Sequence, residues 1–222
     1  MQTLTRLLVQ QGLAKHILTE DQLARVVQGT AQRRYNLVNR ALKTGELQRI
    51  KRGLYKLASP YGNEQCHPFV LAQTLVPGSY VSLETALSHH GWIPEAVYTT
   101  ASITPARKTL TYDHETLGRF TFHPLAIERG YFLELVERQQ INGQVMLVAQ
   151  PMRALMDLVC FKKVEWQGLQ WIEQGLRIDR EFLLQVSPAE LDILESVYKQ
   201  KRVRQFLQQL QMALHGRETL ND

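Results

Sequence analysis

Residues 30–57 read TAQRRYNLVNRALKTGELQRIKRGLYKL, and the spacing of their apolar and basic residues decides the fold. Leu37, Val38, Ala41 and Leu42 recur with the period of a helix that turns one side to a core. Thr30 offers a capping hydroxyl at its start, and Gly45 suits the residue just past its end. Gln32, Arg33, Asn36, Asn39, Arg40 and Lys43 then share the outer face. Residues 47–51 follow as a short strand, Arg52-Gly53 as a turn, and 54–57 as a second strand. A helix followed at once by a basic hairpin is the layout of a winged helix-turn-helix, a DNA-binding arrangement.

The outward side chains suit that chemistry. Arg pairs with the edge of guanine, and Asn and Gln pair with adenine, so Gln32, Arg33, Asn36, Asn39 and Arg40 are expected at bases. Lys43, Arg49, Lys51 and Arg52 are expected at phosphates. The competing reading is a charged amphipathic helix with a solvated face. Charge distribution weighs against it. Residues 1–58 carry eleven Lys or Arg against Glu20, Asp21 and Glu46, a net of +8. The whole chain is +5, which leaves −3 for everything after residue 58. A basic module of this kind is the electrostatic footprint expected of a partner for a polyanion.

Outward from this stretch, residues 3–9 suggest a first helix with Leu4, Leu7 and Leu8 on one face. Thr19-Glu20-Asp21-Gln22 resembles a capping box, opening a helix to about Gln28 that Gly29 ends. This N-terminal module, 1–58, closes before 59–63, where Ser59-Pro60-Tyr61-Gly62-Asn63 reads as a linker. The remainder, 63–222, is expected to hold a sheet-containing part (63–160) and a helical end (161–222). Helices are expected over 68–74, 83–90 with Ser82 as N-cap, and 151–161 with Pro151 at the first position. Strands are expected over 97–104, 108–112 and 119–122, with Asp113-His114-Glu115 in a turn. A further hairpin joins 131–136 to 144–148 through Asn142-Gly143. Residues 166–176, 188–198 and 202–214 complete the helical end, where Lys199, Lys201, Arg202 and Arg204 form a second basic cluster. The expected fold class is α+β, a winged helix-turn-helix followed by a mixed α/β domain.

Composition excludes several classes. Hydrophobic residues make up 44% of the 222, without low-complexity runs, so a folded chain is expected rather than a disordered one. No stretch approaches the ~20 apolar residues of a membrane span, and the N-terminus lacks signal-peptide features. A cytoplasmic protein with no membrane partner is expected. Two cysteines, Cys66 and Cys160, are too few for a disulfide framework or a Cys-based zinc site, and both read as buried thiols. His89 and His90 point to different sides of a helix and cannot serve one metal. No nucleophile elbow, phosphate-binding glycine loop or zincin motif occurs. No catalytic residue, metal or cofactor is expected, and no enzymatic activity.

Four segments occur in a telling order: RIKRGLYKL (49–57), YVSLETALSHHGWIP (80–94), KTLTYDHETLGRFTFHPL (108–125) and AQPMRALMDLV (149–159). Together they resemble the AbiEi antitoxins, the regulator half of type IV toxin–antitoxin and abortive-infection (phage defence) systems. The resemblance covers most of the chain. It implies an N-terminal winged helix that binds operator DNA and represses its own operon, and a C-terminal domain that counteracts an AbiEii-type nucleotidyltransferase toxin. It leaves open whether the toxin is contacted directly. A homodimer on inverted half-sites is an expectation for such modules. The alternatives are an interaction module whose basic end serves an acidic protein, or one that binds RNA.

Overall fold

Leu4, Leu8, Leu18, Leu23, Val26, Val38, Ala41, Leu47 and Leu57 converge on one core in the computed structural model, which describes residues 1–62, 67–141 and 143–215. Helix α1 (Thr3–Gln10) contributes Leu4 and Leu8. Strand β1 (Leu18–Thr19) leads into α2 (Glu20–Val26), whose start is the expected capping box: the Thr19 hydroxyl accepts from Gln22 N–H, and the Gln22 side chain accepts from Thr19 N–H. This helix ends at Val26, two residues short of the expectation. Helix α3 (Ala31–Lys43) starts where Thr30 accepts from Arg33 N–H, and it buries Val38 and Ala41. Gly45 follows it with a positive φ of 72°, a conformation that side chains resist. Strands β2 (Leu47–Lys51) and β3 (Leu54–Leu57) form the expected hairpin. The short β1 pairs antiparallel with β3, which gives a sheet of order β1-β3-β2. Two residues are too few for a periodicity to announce such a strand.

The chain divides into two compact units, residues 1–74 with 140–145, and residues 75–139 with 146–222. Helix α4 (Pro68–Leu75) is followed by strand β4 (Tyr80–Val81), helix α5 (Leu83–His89), and strands β5 (Thr99–Ile103), β6 (Leu110–His114) and β7 (Gly118–His123). Strands β8 (Val136–Ile141) and β9 (Gln144–Ala149) come next, then helix α6 (Pro151–Lys162). Helices α7 (Arg180–Leu184), α8 (Pro188–Glu195) and α9 (Lys201–His215) complete the series. The six strands β4–β9 form one mixed sheet, ordered β6-β7-β5-β4-β9-β8. The chain is therefore α+β, as expected. Asn142, of the expected hairpin turn, lies outside the described residues, as do Asn63 and Cys66.

One polar cluster organises the second unit. Helix α6 buries nine consecutive residues from Met152 to Cys160, among them Arg153 and Asp157. The guanidinium of Arg153 donates to Asp157 Oδ1 at 3.0 Å and to the Tyr80 hydroxyl at 2.6 Å. Asp157 also accepts from the hydroxyls of Tyr80 (2.9 Å), Ser82 (2.7 Å) and Tyr198 (2.8 Å). Burial opposes the charge on Arg153, but Asp157, with Tyr198 and Tyr80, more than offsets it and the guanidinium is held above its ordinary pKa. Burial, and then Asp157, push both tyrosines well above theirs. Two charges out of water are tolerated because each finds hydrogen bonds besides its partner.

This cluster bears on two expectations. Ser82 takes the expected N-cap position of α5, but its hydroxyl is committed to Asp157 and makes no capping bond. Residues 131–135 are not strand: the carbonyls of Tyr131, Phe132 and Glu134 turn in to Arg153, and Leu135 takes a positive φ. Elsewhere, Asp113 and His114 belong to β6 rather than to the turn after it. The expected helix over 166–176 reduces to one π-helical turn, Trp171–Gly175. Trp166 and Trp171 both meet the ring of Phe206 edge-on instead. Cys160 is buried as expected, and burial raises its thiol to about 11.

Candidate nucleic-acid interface

Helix α3 and the β2–β3 hairpin carry the residues singled out from the sequence. The helical period brings Gln32, Asn36, Asn39, Arg40 and Lys43 onto a common outer strip. Gln32, Asn36, Arg40 and Lys43 are exposed, while Asn39 is half-buried. The Gln32 amide donates to Asn36 Oδ1 at 3.1 Å across one turn. Asn36, Asn39, Arg40 and Lys43 border one shallow cleft of about 540 Å³ together with Tyr35.

A second cleft, of about 550 Å³, lies between α3 and the hairpin. Gln32, Arg34, Tyr35 and Asn39 border it from the helix, and Arg49, Arg52 and Tyr55 from the strands. Its floor is held by a short chain of contacts. Tyr55, 5% exposed, donates its hydroxyl to Glu20 at 3.2 Å, and the Arg49 guanidinium lies 5.9 Å from the Tyr55 ring centre. Burial raises the phenol, and Glu20 adds to that effect, so Tyr55 keeps its proton and holds the hairpin to the start of α2. Glu20 is the carboxylate of this cleft, and that hydrogen bond engages it.

The expected residues are thus not all equivalent. Arg33 leaves the outer strip: its guanidinium donates to the Gln28 carbonyl at 3.3 Å, tying α3 back to the turn before it. Arg52 is exposed beside Gly53, whose φ of 81° makes the hairpin turn tight. Lys51 is half-buried in β2, where the pairing with β3 shifts register between Arg49 and Lys51. Two residues absent from the sequence reading belong to the surface. Arg34 lines the cleft toward the hairpin, and Tyr35 borders both clefts while 63% exposed. The helical wheel could have found Tyr35, since it lies three residues from Gln32 and four from Asn39. As an aromatic it reads as a core residue, and that hides it.

No protein-family model matches the chain, and no curated protein matches it significantly.

The second basic cluster does not survive as a unit. Arg202 points inward and donates to the carbonyls of Val159 (3.2 Å), Cys160 (3.4 Å) and Val164, around the C-terminal end of α6. Lys201 and Arg204 stay exposed. Trp92 is buried and stacks on Phe182 with ring centres 5.8 Å apart, which anchors the chain after α5. His90 bonds the Ala149 carbonyl at 2.9 Å and His89 is exposed, but their rings meet edge-on with centres 5.1 Å apart rather than pointing to different sides. Among the described residues no group of three or more His, Cys, Asp or Glu could hold a metal ion. Among them, too, no helix is long and apolar enough to cross a membrane.

Proposed function

We propose that the chain is a DNA-binding autorepressor and antitoxin of the AbiEi type, with residues 1–58 forming a winged helix-turn-helix. The supporting observation is the surface of α3 and its hairpin. Amides and cations stand exposed on one strip of a helix, and a two-stranded hairpin beside it ends in Arg52. Both belong to a segment of net charge +8. In this reading α3 enters the major groove, Gln32, Asn36, Asn39 and Arg40 meet base edges, and Lys43, Arg49, Lys51 and Arg52 hold phosphates. Arg33, exposed and bonded to the Gln28 carbonyl, stands apart from that strip.

The second unit then counteracts the toxin, a nucleotidyltransferase-like protein encoded beside it. That half rests on the four resembling segments, three of which lie in this unit. Operator binding is tested by gel-shift titration of the full chain on the DNA upstream of its gene and on a scrambled duplex at matched salt. Preference for the upstream DNA is expected. Arg40→Ala should remove about 1–3 kcal/mol of that preference, whereas Arg52→Ala should weaken both duplexes alike. Equal affinity for both duplexes would overturn the repressor reading. Growth rescue on co-expression with the toxin tests the antitoxin half separately.

A further inference from the structure

Guanine shows two acceptors, N7 and O6, in the major groove, which suits a guanidinium. Adenine shows an acceptor and a donor, which suits an amide. On α3 the middle of the outer strip carries amides, and the guanidiniums are displaced from it. Arg33 is turned back onto the Gln28 carbonyl, Arg34 lies half-buried toward the hairpin, and Arg40 comes after the last amide. Arg40 and Lys43 remain on the strip as cations that could meet a guanine, and both come after the last amide.

The amides are also arranged for adenine. The bond from Gln32 Nε2 to Asn36 Oδ1 uses one donor and one acceptor. It leaves Gln32 Oε1 to accept and Asn36 Nδ2 to donate, the complement of adenine N6 and N7. Asn39 repeats the same chemistry one turn further on. Among these amides stands the ring of Tyr35, 63% exposed and bordering both clefts. The apolar group that a base pair displays in the major groove is the thymine methyl, and a ring on the reading strip is placed to cover it.

Resting on the reading of α3 as the base-reading helix, we infer that the chain selects half-sites with an A·T-rich core. Gln32, Asn36 and Asn39 read adenines, Tyr35 covers a thymine methyl, and Arg40 reads a flanking guanine. Tyr35 is thereby a specificity-determining residue.

The test starts with selection of duplexes from a randomised library by the full-length chain. Enrichment of A·T pairs at the centre of each half-site is expected. Deoxyuridine then replaces thymidine in the selected core, which removes the methyl and keeps the pairing. The parent should lose roughly threefold to fivefold in affinity, the worth of one buried methyl group. Tyr35→Ala should bind the two duplexes equally while still preferring both to a scrambled sequence. A selected core rich in G·C, or a parent indifferent to deoxyuridine, would overturn the inference and leave DNA binding standing. Failure to enrich any sequence would remove the operator-binding reading and this inference with it.

Discussion

Arg153 and Asp157 sit at the centre of the second unit, both fully buried, where neither can find water. Their worth lies in being a pair. Asp157→Leu keeps the branched shape but strands the guanidinium and removes the acceptor for three hydroxyls, which should cost about 3–5 kcal/mol. Urea denaturation followed by tryptophan fluorescence measures this in the right place, since Trp92, Trp166 and Trp171 all belong to this unit. Adding Arg153→Met to Asp157→Leu should recover part of the loss, because the stranded charge is then gone. A single variant as stable as the parent would refute the role given to the pair. Only the four-residue spacing of Arg153 and Asp157 is local. Ser82 read as a cap, and nothing in the sequence ties it or the tyrosines to Asp157. The hydroxyls that close on Asp157 come from Tyr80 and Ser82, more than 70 positions away, and from Tyr198, 41 away, and no local pattern carries such contacts.

Elements whose reasons are local were legible. The Thr19 capping box, the Thr30 cap, the β2–β3 hairpin and the Pro151 start of α6 are each written within a few residues, and each stands where expected. Misplaced elements are those shaped by distant groups. Residues 131–135 yield to Arg153, and the tryptophans after α6 yield to Phe206 on α9. The same logic governs the contact of α6 with α9. At the end of α6 the Val159 carbonyl already accepts from the N–H groups of Lys163 and Val164, and Arg202 adds charge-assisted hydrogen bonds to it and to the Cys160 carbonyl near the negative end of the helix dipole. Arg202→Met keeps much of the stem and should cost about 1.5–3 kcal/mol in the same denaturation. Lys201→Met, one residue away and exposed, should cost almost nothing. Equal effects of the two would mean that general charge, not capping, explains Arg202.

Charge is the property that belongs to the whole molecule. A chain of net +5 that gathers +8 into its first 58 residues leaves the rest acidic, so the affinity proposed for a polyanion belongs to one end. Binding through phosphates releases counterions, and the logarithm of affinity falls with the logarithm of salt by about 0.9 for each phosphate neutralised. The four cations proposed for phosphates, Lys43, Arg49, Lys51 and Arg52, therefore predict a slope of about −3.6 for each protomer bound. Two protomers on inverted half-sites would double it to about −7, so the titration also reports the number of copies engaged. Arg52→Ala should reduce the magnitude by about 0.9 per protomer, whereas Tyr35→Ala should leave the slope alone and change only sequence preference. The strip of α3 is thereby separated from the hairpin tip by two independent readouts. A parent slope near zero would mean that phosphates are not what the basic end meets, and an unchanged slope in Arg52→Ala would take the hairpin tip off the phosphate backbone.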